Sequence, residues 1–400
     1  MSTSLEIQRI LEYQADQIEV VLASHRVYGR VIGGTVTPRW VRYQILPELS
    51  TKISRVAALS EEMALRLGVQ DVRISRQGST IQVEVPRPDP QVVRLLQLCR
   101  QLDEVPRQSA ILGLDEAGLP LLLRLSSPEV AHVLIAGTTG SGKTALARSM
   151  ALSLAMYNRL GEVQMVFIDP KGIGFGPLAA SNGSGQGVPH LLRPTVSDIH
   201  QAIFLLGEMV EEMVRRDHEN ICEPRVIVFI DEVADLMEQG GRAMDRLMTR
   251  LTQRGRSAGL HLIACTQKPL AAVIGSLTRS NFPVRLVGSV ASADDAKVAA
   301  GIPGTGAEKL LGRGDFLLVA KGQVTRFQAA YISEQEISQI VAQLQPRHRT
   351  HRGWLESAEN NSDALAATGT DGRLARLAPP GSKRRRSLEL MFGHQLRLIK

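Results

Sequence analysis

The sequence predicts an α/β chain in which a smaller α/β domain precedes a doubly wound, mainly parallel sheet. Three observations predict it. Short apolar runs at residues 163–169, 226–231, 260–265 and 284–287 lack polar alternation, as do strands covered on both faces. Longer stretches with helical spacing, 196–216 and 242–254, lie between them. The octapeptide Gly137-Thr138-Thr139-Gly140-Ser141-Gly142-Lys143-Thr144 stands between the apolar run 133–136 and the helix-forming run 145–154.

Taken in order, residues 4–24 place Ile7, Ile10, Leu11, Ile18, Val21 and Leu22 at helical spacing among charges, which predicts an amphipathic helix. A strand is expected at 39–46 and a helix at 53–67, where Ala57, Leu59 and Met63 are apolar. Residues 72–75 and 80–85 read as strands joined by Gln77-Gly78-Ser79, and Pro86, Pro88 and Pro90 close that unit. A helix at 91–102 and a strand pair within 110–125 lead to the octapeptide. Residues 316–320 and 325–329, joined by Lys321-Gly322-Gln323, predict a closing hairpin. Past 345 the chain turns polar and carries Lys383-Arg384-Arg385-Arg386, so no packed core is expected there and the tail is read as largely disordered. The expected organisation is an N-terminal helix at 1–30, a small α/β domain at 31–110, the sheet domain at 111–344 and a basic tail at 345–400.

A chain of 400 residues, 44% of them hydrophobic, has enough apolar surface for two or three cores. No run approaches the roughly 18 apolar residues of a membrane span, and the first residues lack a basic segment followed by an apolar one. The expectation is a cytoplasmic protein without stable membrane insertion. Cys99, Cys222 and Cys265 are scattered without paired spacing, which argues against a disulfide framework or zinc site. The net charge of +7 is compatible with a polyanionic partner.

The octapeptide is a G-x-x-x-x-G-K-T phosphate loop in strand-loop-helix context. Its glycines let successive backbone N–H groups turn toward one anion at a helix N-terminus. Lys143 is expected to reach the β- and γ-phosphates of ATP, and the Thr144 hydroxyl to ligate Mg2+. A second apolar strand, 226–230, ends in Asp231-Glu232. Asp231 suits the metal and Glu232 the water that attacks the γ-phosphate. Gln267, after the strand 260–265, is placed to touch the γ-phosphate or that water. Asp169-Pro170-Lys171 brings polar residues to the same rim, either as a turn or as a switch near the nucleotide. Arg256 and Arg285 are candidates for an arginine that completes a neighbouring subunit's site.

Together these segments resemble the FtsK/SpoIIIE family of DNA translocases. The resemblance is carried by His132 through Thr144, Ile168-Asp169-Pro170-Lys171, Val188-Pro189-His190-Leu191-Leu192 and Phe229 through Met237. Arg256 through Pro269 and Leu310 through Leu317 complete it. Upstream, Ile53 through Ser60 and Leu112-Gly113-Leu114-Asp115 resemble the family's smaller subdomain, so the likeness runs over about residues 30–335. It implies a RecA-like P-loop NTPase motor domain, a homo-oligomeric ring of six subunits around double-stranded DNA, and ATP hydrolysis between subunits. It also favours Arg256 over Arg285 as the residue facing a neighbour's nucleotide.

On the same resemblance Lys268, Arg279 and Lys297 are candidates for DNA contact in the pore. The family's membrane region and C-terminal winged helix have no counterpart in the sequence, so a compact member is expected. Gly172-Ile173-Gly174-Phe175-Gly176 departs from the family's pattern after Asp-Pro-Lys and is expected to form a flexible loop toward the pore. Two other functions use the same residues: a nucleotide-dependent DNA-binding or replication-initiation factor that does not translocate, and a related protein-secretion ATPase.

Overall fold

Apolar patterning gives each of two units its own buried interior. The computed structural model describes residues 2–48, 51–179, 187–267, 281–344 and 397–399. Two compact units emerge, Met1–Val92 and Val93–Lys400.

The first unit holds helix α1 (Ser2–Ser24) and a four-stranded antiparallel sheet. Its strands are β1 (Gly29–Val36), β2 (Trp40–Pro47), β3 (Arg73–Gln77) and β4 (Thr80–Pro86), in the order β1-β2-β4-β3. Ile18, Val21 and Leu22 of α1 share a core with Val41, Tyr43 and Ile45 of β2 and with Ile81, Val83 and Val85 of β4. The N-terminal helix is therefore part of this unit and not a separate segment. The helix expected at 53–67 is broken into α2 (Ile53–Ala57) and α3 (Ser60–Leu67), the latter ending on Gly68 at φ 68°. Strand β1 escaped the sequence reading because Gly29, Gly33 and Gly34 dilute its alternation and most of its residues are exposed.

The second unit begins earlier than residue 110. Helix α4 (Leu95–Gln101) buries Leu95, Leu96, Leu98 and Cys99 in the core of the large sheet, which moves the division to Val92/Val93. That sheet takes strands β5 (Ser109–Asp115), β6 (Pro120–Arg124), β7 (Val133–Ala136), β8 (Val163–Ile168), β9 (Arg225–Ile230) and β10 (Leu260–Thr266). It is completed by β11 (Val284–Val287), β12 (Asp315–Ala320), β13 (Gln323–Ala329) and β14 (Arg397–Ile399). The order is β14-β6-β5-β13-β12-β11-β7-β10-β9-β8. From β11 to β8 every pairing is parallel, whereas β12, β13, β5 and β6 extend the sheet antiparallel. Within the tail expected to lack structure, β14 runs parallel beside β6.

Period-two alternation divides the parallel strands between two layers. Ile227 and Phe229 of β9 join the core with Leu146 and Met150 of α5 (Lys143–Tyr157). Val226, Val228 and Ile230 face the other core, with α6 (Ile199–Glu219) and α7 (Val233–Arg254). Helix α7 starts nine residues before the expected 242 (242 − 233 = 9), because Gly240-Gly241, kinked at Gly241, masks its first half. Helices α8 (Ala293–Ala300) and α9 (Glu334–Leu344) follow β11 and β13. Among the described residues no helix is long and apolar enough to cross a membrane.

Candidate nucleotide site

The phosphate loop leaves β7 between its two parallel neighbours, with Ala136 in register with Thr266 of β10 and Val287 of β11. This is where strand order reverses in a doubly wound sheet, a place where ligands bind. Backbone bonds hold the loop on both sides. Gly137 N donates to Thr266 O at 3.2 Å, and Thr138 donates from N and Oγ1 to Ser289 O at 2.7 and 3.0 Å. Opposite, Arg313 N donates to Gly140 O at 3.0 Å and Gly314 N to Ser141 O at 2.8 Å. Gly142 adopts φ 102°, and a Cβ there would stand 3.0 Å from Gly314 N, so only glycine fits.

Lys143 opens α5 and is nearly buried, with Nζ donating to the carbonyls of Gly137 at 2.8 Å and Thr138 at 3.0 Å. Burial pulls its pKa below the ordinary lysine value, although the nearby Asp231 and Glu232 carboxylates oppose this. Thr144 Oγ1 lies 3.5 Å from Asp231 Oδ1. Burial raises the Asp231 pKa, and the carboxylates of Asp169 and Glu232 raise it further.

Glu232 is only 4% exposed and takes the left-handed conformation, φ 60° and ψ 67°. A non-glycine residue held there costs about 1–3 kcal/mol and persists only where the surroundings fix it. Here they do. The carboxylate accepts from Thr266 Oγ1 at 3.1 Å and from Gln267 N at 3.1 and 3.2 Å. The Gln267 side chain turns the other way, its Oε1 accepting from Thr139 Oγ1 at 2.9 Å.

Asp169-Pro170-Lys171 is a constructed turn. The Asp169 carboxylate, 1% exposed, accepts the backbone N–H groups of Lys171, Gly172, Gly174 and Phe175 at 2.7–3.2 Å. Arg148 on α5 donates to the carbonyls of Ile173 and Gly174 and pairs with Glu334 at the start of α9. The segment expected to be flexible is thus tied down at almost every residue between 171 and 175.

Expected site residues on other parts of the unit fall elsewhere. Arg256 is exposed before the first residue of β10, whereas the phosphate loop follows the opposite end of β7. About 20 Å of strand separates it from Gln267. Arg285 donates to the carbonyls of Phe282, Val298 and Ala299, so it braces the end of α8. Lys297 is exposed on α8, and Lys268 and Arg279 lie outside the described residues. The sequence reading missed Ser289 and the turn Gly312-Arg313-Gly314 as walls of the loop. They act through backbone atoms, and the only written trace was a Gly-x-Gly before a strand.

A phosphate loop opposed by a strand-end acid pair and a polar residue on the adjacent strand defines a P-loop NTPase of the RecA-like kind. Comparison with known proteins narrows the class. The FtsK/SpoIIIE family profile matches residues 101–221 and 217–271, and the FtsK alpha domain profile matches residues 2–87. The DNA translocase FtsK of Sporosarcina ureae is 33% identical over 366 residues, 83% of this chain and 46% of that protein. The DNA translocase FtsK of Bacillus anthracis is 33% identical over 361 residues, 82% of this chain and 44% of that one. The chain belongs to the FtsK/SpoIIIE family. It spans about half the length of the curated relatives it matches.

Solved structures agree on the fold. The pCW3 conjugation coupling protein TcpA, solved as a monomer with ATPγS, superposes with a TM-score of 0.54 at 18% identity, covering 86% of this chain and 99% of that one. The cytoplasmic domain of the Thermomonospora curvata type VII secretion ATPase EccC gives 0.51 at 23% identity, covering 63% and 33%.

Proposed function

We propose that this chain is an ATP-hydrolysing motor that binds and translocates double-stranded DNA as a ring-shaped hexamer in DNA segregation or transfer. The observation that carries the reading is the acid pair. Asp231 stands opposite Thr144, while Glu232 is held in a strained conformation by Thr266 and Gln267. Two hard oxygen donors beside crowded, desolvated carboxylates fit Mg2+, since a cation would offset the burial, and with it the like-charge repulsion, that raise the Asp231 pKa. Thr144 and Asp231 would hold the metal, which would supply positive charge to offset that of the triphosphate.

The protein's own groups supply the rest. Lys143 exchanges the Gly137 and Thr138 carbonyls for phosphate oxygens, and the loop N–H groups orient the triphosphate. Glu232 accepts a proton from the attacking water, and Gln267 orients that water while staying tied to Thr139. Arg256 stands too far from its own chain's loop to stabilise charge there, which supports a role at the site of a second copy. Under this reading DNA and ATP place the motor in the cytoplasm, and Lys268, Arg279 and Lys297 line its path along the phosphates.

The test is ATP turnover with and without duplex DNA, followed by displacement of a third strand from a triplex. A translocating motor is stimulated by the duplex and strips the third strand. Turnover indifferent to saturating DNA at low salt overturns the reading. Stimulation without displacement identifies a static DNA-binding ATPase instead.

A further inference from the structure

The loop after β8 closes over the acidic side of the site, and its backbone at Gly174 lies directly on Asp231. A Cβ at Gly174 would stand 2.7 Å from Asp231 Oδ2, 3.1 Å from Asp231 Cγ and 3.2 Å from Asp169 Oδ2. The requirement is for space alone, because Gly174 does not adopt a positive φ. The loop side of this contact is fixed, whereas on the Asp231 side only the backbone is anchored and the carboxylate can turn. Gly174 N and Phe175 N are bonded to Asp169 Oδ2, and the Gly174 carbonyl accepts from Arg148. The Phe175 ring stacks on Phe167 with centroids 4.6 Å apart and meets the Phe229 ring edge-on. On the other side, Asp231 N donates to Ile168 O at the end of β8.

We propose that Gly174 is a positioning residue for Asp231. The bare Cα face of Gly174 fixes where the Asp231 carboxylate stands opposite Thr144 Oγ1, and so sets the affinity of the site for Mg2+. The inference rests on the assignment of Asp231 to the metal. Any Cβ at this position turns the carboxylate away from Thr144 or lifts a loop held by Asp169, Arg148 and two aromatic rings. Loss of a group that orients a metal ligand typically weakens metal binding about 10- to 100-fold.

The same loop contains its own control. Gly176 also lacks a positive φ, and a Cβ there would meet nothing within 4 Å. Gly174→Ala and Gly176→Ala make the same chemical change, and only the first touches Asp231. The experiment titrates Mg2+ into the full chain with a fluorescent ATP analogue, and repeats the nucleotide binding in EDTA. Gly174→Ala is expected to raise the Mg2+ midpoint about 10- to 100-fold over Gly176→Ala. Nucleotide affinity in EDTA should match that of Gly176→Ala.

Arg148→Gln keeps the space at Gly174 but frees its carbonyl, and is expected to shift the midpoint in the same direction by less. It decides the matter if Gly174→Ala does not fold, and an unchanged midpoint then overturns the inference. A wild-type chain with clear Mg2+ dependence and equal midpoints for the two alanine variants overturns the inference alone. A wild-type chain that binds nucleotide without Mg2+ dependence overturns the metal assignment and this inference with it.

Discussion

Thr139 and Gln267 are joined across the nucleotide site, with Thr139 Oγ1 donating to Gln267 Oε1 at 2.9 Å. One residue belongs to the phosphate loop and the other to the loop after β10, whose backbone N–H also holds Glu232. Under the proposed function Gln267 therefore links the loop that would bind phosphate to the carboxylate that would activate water.

Replacing Gln267 by Ala removes that link and leaves the backbone N–H on Glu232 in place. A hydrogen bond between neutral groups is worth about 0.5–1.5 kcal/mol, which corresponds to roughly 2- to 10-fold in rate. The expected outcome is a fall of that size in kcat with nucleotide affinity nearly unchanged. Steady-state turnover beside equilibrium nucleotide binding checks it. Equal losses in both would assign Gln267 to ground-state binding.

Arg256 and Glu232 make a complementation prediction. Glu232→Gln is expected to keep nucleotide binding and lose about 10²- to 10⁴-fold in turnover, and Arg256→Ala to lose turnover as well. If Arg256 acts on a neighbour, mixed assemblies contain interfaces with an intact Glu232 on one copy and an intact Arg256 on the next. Mixing the two inactive variants should restore part of the ATPase activity. Arginine action within one chain would leave every mixture inactive.

Much of this site was legible in the sequence because its chemistry is local. Lys143, Thr144, Asp231 and Glu232 announce themselves by residue type at strand ends, and the strands by uninterrupted apolar runs. What escaped depends on backbone atoms or on tertiary choice. Ser289 serves the phosphate loop through a carbonyl that any residue could supply. The apolar face of α4 could have packed into either unit, and nothing in its spacing chose the second. Gly174 looked like part of a flexible run because the side chains that hold it, Asp169 and Arg148, are distant in sequence or aimed at backbone.

Two buried histidines give the fold a pH dependence. His261 bonds Ala131 O at 2.7 Å through Nδ1 and Arg225 Nη1 at 2.8 Å through Nε2, so Nδ1 carries the proton and Nε2 accepts. His132 Nδ1 accepts from Leu262 N at 3.0 Å. Burial is the main reason that His132 falls to about 3 and His261 to about 4, with Arg225 adding to the second. Both stay neutral in the fold while the unfolded chain protonates near 6.5, so stability is full above that pH and falls as pH drops toward these values. Each contributes at most about 1.4 kcal/mol per pH unit. His132→Asn keeps an acceptor for Leu262 N and should flatten the fall in urea midpoint between pH 6.5 and 5. An unchanged slope would show that His132 is not a source of the dependence.

Asp315 and Arg326 form a buried bidentate pair, Nε to Oδ1 at 2.7 Å and Nη2 to Oδ2 at 2.6 Å, in which both side chains are under 10% exposed. Asp315 Oδ2 also accepts from Leu311 N at 3.0 Å, which ties the pair to the Gly312-Arg313-Gly314 turn against the phosphate loop. Removing one partner strands the other charge away from water, a change that costs about 3–5 kcal/mol. Replacing both with apolar residues of similar volume leaves no stranded charge and costs much less. Asp315→Asn should therefore destabilise the protein more than Asp315→Leu combined with Arg326→Met, as measured by chemical denaturation. The double variant should nevertheless bind nucleotide more weakly than wild type, because Leu311 N has lost its acceptor and the turn its anchor. Wild-type nucleotide affinity in a stable double variant would mean that the turn holds its place on Gly140 and Ser141 without the pair.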